Sequence, residues 1–108
     1  MPYTRTKATS YRWPVKTLHP ADGGVQLEET FDGVFRRVTR PEAQALADKG
    51  DEALVRGVLI GWSGILDDSG EELPFSEALR DELMEQQSFM RGVIEAFYQG
   101  VNGAKAGN

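Results

Sequence analysis

The chain has no cysteine and only one histidine, His19, among 108 residues. The first absence excludes disulfides, thiolate nucleophiles and cysteine-based zinc sites together. The second leaves His19, beside Pro20 in a predicted turn, with no thiol to activate, so a structural role is expected. Long apolar runs are missing too. None approaches the roughly 18 to 20 residues of a membrane-spanning helix, and the start MPYTRTKATS lacks the apolar core of a secretory signal. A cytoplasmic protein without membrane contact is the expectation.

What is present fits one ordinary domain: 40% apolar residues, 9% aromatic and 27% charged. The net charge of −5 hides an asymmetry. Residues 1–18 carry Arg5, Lys7, Arg12 and Lys16 with no acid, whereas residues 67–85 carry eight acids against Arg80 alone. Four cations spread over eighteen residues make a weaker footprint than the clustered stripes of nucleic-acid binders, so nucleic acid is disfavoured as a partner.

Residues 1–10 are polar and aperiodic and read as a basic tail. Tyr11, Trp13 and Val15 then alternate with Arg12, Pro14 and Lys16, the two-residue period of a strand, with Pro14 placing it at a sheet edge. Residues 19–24, ending in Asp22-Gly23-Gly24, supply turn chemistry, and Val25, Leu27, Phe31 and Phe35 return in one phase. One hairpin is the simplest outcome. A second turn at Asp32-Gly33 would make a meander ending at Val38.

Thr39 and Glu42 have capping-box spacing, so a helix starts there and ends at Gly50. Asp51 can cap the next helix, whose apolar positions Leu54, Val55, Val58, Leu59 and Trp62 follow three- and four-residue spacing. Asp67-Asp68-Ser69-Gly70 reads as a tight loop, Ser76 as a helix cap, and Gln86-Gln87-Ser88 as a break. Two helices, about 76–86 and 88–100, are favoured over one long one. The predicted fold is therefore α+β: an N-terminal antiparallel hairpin or meander over 11–38, then a bundle of about four short helices over 39–101. A polar tail over 102–108 completes the single domain. Trp13, Phe31, Phe35, Trp62, Phe75, Leu79 and Leu83 are the predicted core.

Organised chemistry is absent from this pattern. The acidic loop lacks the alternating ligands and distal glutamate of a calcium site, and Gly57, Gly61 and Gly64 are not followed by the Gly-Lys-Ser/Thr of a phosphate loop. Glu82 and Glu85 lie one helical turn apart on an ordinary polar face. No catalytic, metal or cofactor site is predicted, and the protein is expected not to be an enzyme. What stands out is the last helix. Met90, Val93, Ile94, Phe97 and Val101 form its apolar stripe, and Phe89 and Tyr98 widen it at opposite flanks, beyond what a small core requires. Phe89, Met90, Phe97 and Tyr98 are the candidate partner-binding residues.

Gly61-Trp62-Ser63-Gly64, the Asp67–Gly70 turn, Leu73-Pro74-Phe75-Ser76 and the closing Phe97-Tyr98 pair occur in an order that resembles the small tail assembly chaperones of long-tailed bacteriophages. The likeness runs from about Thr39 to Tyr98, and the strands from Tyr11 to Phe35 resemble the strand-rich start of some members. It implies a chaperone that holds the tape-measure protein soluble, with tail-tube protein as a second partner, in the cytoplasm of the bacterial host. It also implies a fraction of chains extended by frameshifting near the C-terminal end. A structural tail or tail-completion protein, or a small binding regulator, is the alternative, and a homo-oligomer is compatible with either.

Overall fold

In the computed structural model, residues 1–5 and 8–103 are described. Strand β1 (Ser10–Ala21) turns through Asp22, Gly23 and Gly24 into β2 (Val25–Arg36), followed by α1 (Arg40–Asp48), α2 (Asp51–Val58), β3 (Leu59–Ser63), α3 (Glu77–Leu83) and α4 (Gln87–Asn102). The fold is α+β, an antiparallel sheet with four helices, as the sequence predicts. Within the predicted tail, residues 6 and 7 and residues 104–108 lie outside the described residues.

The hairpin is long and in register from Ser10↔Arg36 to Ala21↔Val25. Gly23 and Gly24 both take positive φ, which their missing side chains allow at no steric cost. His19 accordingly lies inside β1 and not in the turn that Pro20 suggests. There is no second turn at Asp32-Gly33, because β2 runs through both residues to Arg36.

The third strand comes from further along the chain. β3 pairs with β2 through Asp32↔Ser63, Gly33↔Trp62, Val34↔Gly61 and Phe35↔Leu59, with a bulge between Val34 and Phe35. This corrects the expectation of one helix carrying Leu54 through Trp62, and with it the assignment of 39–101 to helices alone. α2 ends at Val58, and the carbonyls left free at its end find arginines instead of another helical turn. Arg80 Nη1 donates to the carbonyls of Arg56 and Leu59 at 3.2 and 3.3 Å, and Arg36 Nε donates to the carbonyl of Gly57 at 3.0 Å. Satisfied helix-end carbonyls make the switch to strand tolerable inside the fold.

The remaining boundaries follow local chemistry. Thr39 and Glu42 close a reciprocal capping box at α1, and Ser76 Oγ accepts from the Leu79 N–H at α3. Gly50, not Asp51, is the N-cap of α2, and its φ of 113° suits glycine. α3 and α4 are separate helices, with residues 84–86 between them.

α4 lies across the sheet face that carries Tyr11, Trp13, Val15, Phe31 and Phe35. The approach is close: a Cβ on Gly92 would sit 2.6 Å from the Lys16 carbonyl oxygen. Val15, Phe35, Leu54, Val55, Val58, Leu59, Val93 and Phe97 are almost fully buried between sheet, α2 and α4. Of the predicted core, Phe35 and Trp62 are buried, while Trp13, Phe31, Phe75, Leu79 and Leu83 are partly buried against that cluster. Trp62 meets Phe75 edge to face at 4.7 Å and donates from Nε1 to the Leu73 carbonyl at 2.9 Å. No helix among the described residues is long and apolar enough to cross a membrane.

Candidate functional site

The over-wide stripe of α4 is real, but its parts are distributed differently from the sequence expectation. At 3.6 residues per turn, Phe89, Gly92, Val93, Ala96 and Phe97 occupy one side of the helix, and all five are buried. Phe89 is 6% exposed and stacks on Phe31 at 5.7 Å with rings nearly parallel, and Phe97 is 1% exposed. These two are buried in the core, and Phe97 also lines the cavity beside α1. Met90 and Ile94 continue the apolar arc and are partly buried against the core. Beyond them Tyr98 is 39% and Val101 50% exposed, so the arc reaches solvent here.

α1 faces this outer edge. It buries none of its nine residues. Leu46 anchors it by lying over Gly57 of α2, where a Cβ would meet the leucine tip at 2.7 Å. Ala43 and Ala47 are too small to reach across to α4, so a cavity of about 380 Å³ remains, lined by Val38, Ala43, Ala47, Phe97, Tyr98 and Val101. Tyr98 packs edge-on against Phe97 at 5.3 Å, giving the groove an aromatic wall on a fixed floor. Its rim is polar. Thr39, Arg40, Gln44 and Asn102 complete the lining, and Gln44 donates to Asp48 at 2.8 Å. In the capping box of α1, Glu42 is held below the usual carboxylate range chiefly by the Thr39 backbone N–H, then by the Thr39 hydroxyl, against a smaller opposing effect of burial and with help from Arg36. Such a surface suits a helix with an apolar face better than it suits a reacting small molecule.

At the other end of α4, His19 joins three elements. Its Nδ1 lies 2.9 Å from Ser88 Oγ at the start of α4, and its Nε2 lies 3.1 Å from Thr17 Oγ1 and 2.9 Å from Glu29 Oε1. The ring thus ties the hairpin to α4. No group of three or more histidine, cysteine, aspartate or glutamate side chains able to hold a metal is found among the described residues. The acidic loop is organised by its own chain: Asp67 Oδ1 accepts from the Ser69 hydroxyl and from the backbone N–H groups of Ser69 and Glu71. Those bonds, that from Ser69 Oγ first, keep its carboxyl below its ordinary value.

Sequence reasoning missed Val38, Ala43, Ala47 and Val101 as groove residues and Arg80 as a buried cap. The alanine pair spaced by four on a short helix was the available signal for the groove. Arg80 carried none, because its acceptors lie 24 and 21 residues away.

No curated protein and no solved structure matches the chain. A family model described as YdaY prophage protein matches residues 19–102, which span the hairpin from His19, all four helices and the groove between α1 and α4. The chain belongs to the YdaY prophage protein family.

Proposed function

We propose that this prophage protein is a non-catalytic tail assembly chaperone, acting in the cytoplasm of the bacterial host, that receives an apolar helical segment of the tape-measure protein in the groove between α1 and α4. The groove carries the reading: α1 buries nothing fully, and Tyr98 and Val101 extend the apolar arc of α4 into open space beside it. A helix-in-groove partner with apolar side chains three and four residues apart would complete the arc. The tape-measure protein, a long helical chain in the resembling phage proteins, offers many such segments. Tail-tube protein is the second proposed partner.

Co-expression with the tape-measure protein of the same prophage tests the proposal. The chain should co-purify with it and raise its soluble yield. Tyr98→Asp and Val101→Asp should each weaken that association by roughly tenfold or more, since each puts a charge into a contact of about 1.4 kcal/mol or more. Each change also removes partly buried apolar surface and puts an acid near the C-terminal end of α4, so a stability loss of about 1 to 2 kcal/mol should accompany it, and both variants are compared at a temperature where they remain folded. Unchanged association in both variants, or no association at all, would overturn the proposal. Recovery of the protein in mature particles would point to a structural tail component instead.

A further inference from the structure

The two long strands expose their free edges in opposite ways. Pro14 and Pro20 of β1 stand opposite Asp32 and Gln26. A proline cannot donate into the ladder, so the even-numbered residues of β1 turn their backbone groups outward, and two of those outward positions lack an N–H. The β1 edge is thereby blunted. By the same alternation, the even-numbered residues of β2 point away from β1. Asp32 and Val34 spend those groups on β3, but β3 reaches no further than Asp32. Gln26, Glu28 and Thr30 present theirs on an open edge without a proline.

The chain after β3 leaves that edge bare. Gly64, with φ of 90°, turns the backbone aside, and the next segment pairs with residues 71–73 instead. The Leu73 N–H donates to the Ile65 carbonyl at 2.7 Å and the Asp67 N–H to the Glu71 carbonyl at 2.8 Å. Ile65 and Asp67 therefore face that partner, and the backbone of Leu66 points the other way. Beside the open half of β2 lies a cavity of about 610 Å³, with Phe31, Ile65 and Leu66 on its walls and Glu29, Asp67 and Asp68 at its mouth. Its components are an unpaired strand edge, apolar walls and an acidic rim.

We infer that this cleft takes the basic arm of a second copy of the chain, residues 1–5, as an added strand on β2. The arm has the complementary chemistry. Tyr3, 96% exposed, supplies an aromatic for the apolar walls, Arg5 supplies a cation for the acidic mouth, and the first acid in the sequence is Asp22. Within one copy, Arg5 falls short of this cleft. β1 starts at Ser10, opposite Arg36, eight residues along β2 from Glu28, or roughly 27 Å at 3.4 Å per residue. The five steps from Ser10 back to Arg5 span at most about 17 Å. A second molecule is needed, and reciprocal exchange about a two-fold axis would close the pair. This surface lies apart from the groove between α1 and α4, so it stands or falls independently of the chaperone reading.

Light scattering coupled to size exclusion tests the inference on the full chain, with a synthetic peptide of the first nine residues, MPYTRTKAT, as a direct probe. The mass should rise from 11.9 kDa toward twice that value as concentration passes about 10 to 100 µM, the range expected for a small interface. Added salt should lower the dimer fraction, because the arm and the mouth of the cleft carry opposite charge. Glu28→Pro removes an N–H on the open edge without touching a bond to β1. The double change Tyr3→Ser with Arg5→Glu alters only the arm, outside the fold. Each should weaken dimerisation by roughly tenfold or more, and Glu28→Pro should also abolish peptide binding. A monomer at every concentration with no peptide binding would overturn the inference. So would a dimer indifferent to the arm change, or one lost with the arm change yet intact in Glu28→Pro.

Discussion

Replacing Gly92 by alanine pits two effects of similar size against each other, and the geometry decides between them. Alanine is favoured over glycine inside a helix by about 0.5 to 1 kcal/mol. At Gly92 the new methyl would stand 2.6 Å from the Lys16 carbonyl oxygen and 3.0 Å from Thr17 Cγ2. The first of these is strand backbone, which cannot rotate away, so α4 and β1 must separate. Overpacking of this kind costs about 1 to 3 kcal/mol, and a backbone obstacle belongs at the upper end. The expected net loss is about 1 to 2 kcal/mol, or a fall in Tm on the order of 10 °C for a domain of this size.

Two other helical glycines serve as controls. At Gly100 the nearest atoms are the Tyr11 ring at 3.3 Å and its hydroxyl at 3.4 Å, and at Gly57 they are the tips of Leu46 at 2.7 and 2.9 Å. Those side chains can yield, so Gly100→Ala should be near neutral and Gly57→Ala should lose less than Gly92→Ala. Chemical denaturation of the three variants against the parent provides the measurement. If Gly92→Ala is as stable as the parent, or ranks with Gly100→Ala, the close packing of α4 on β1 is not what sets their separation.

Arg80→Met should cost about 2 to 3 kcal/mol in urea unfolding, because it strips partners from the buried carbonyls of Arg56 and Leu59; a loss under about 0.5 kcal/mol would show that solvent caps α2 equally well. Trp62→Ala should cost roughly 3 to 5 kcal/mol, the usual range for truncating a buried aromatic, and a loss below about 1 kcal/mol would remove Trp62 from the core. Acid sensitivity follows from three carboxyls. Burial pushes Asp81 up, but hydrogen bonds and charge from Arg80 and Arg56 outweigh it, so Asp81, like Glu42 and Asp67, sits below its ordinary value. A depressed folded pKa means stabilisation that is complete above the unfolded values, from about pH 5 upward, and lost as the pH falls through the folded values. Asp81→Asn should flatten that acid limb, and an unchanged pH profile of Tm would refute its part.

The features legible in the sequence were those decided by near neighbours. Val25, Leu27, Phe31 and Phe35 announce one face of β2, Thr39 and Glu42 announce α1, and the polar run at 86–88 marks the start of α4. Trp62 shows why spacing can mislead. Leu59 and Trp62 are three residues apart, which on a regular strand puts them on opposite faces and on a helix puts them together. Both are buried on one face of β3 because the bulge at Val34 and Phe35 shifts the register by a residue between them. A bulge has thus reproduced helical periodicity within a strand.

Phe89 misleads for the opposite reason, since its position on α4 was read correctly and its neighbour was not. On the helix alone it lies at the stripe's flank. Phe31, arriving from a strand 58 residues earlier, covers it with a parallel ring. Tyr98, nine residues further along, meets no such partner, because α1 turns Ala43 and Ala47 toward it. The pattern on α4 fixes how much apolar surface the helix carries, and only the sheet and α1 decide which part stays uncovered. Gly92 links these outcomes physically. By letting α4 settle against Lys16, it brings Phe89 and Phe97 within reach of Phe31 and Phe35, leaving the unspent part of the arc at Tyr98 and Val101. A Gly92→Ala protein that remained folded should therefore bind a groove ligand less tightly even though no groove residue had changed.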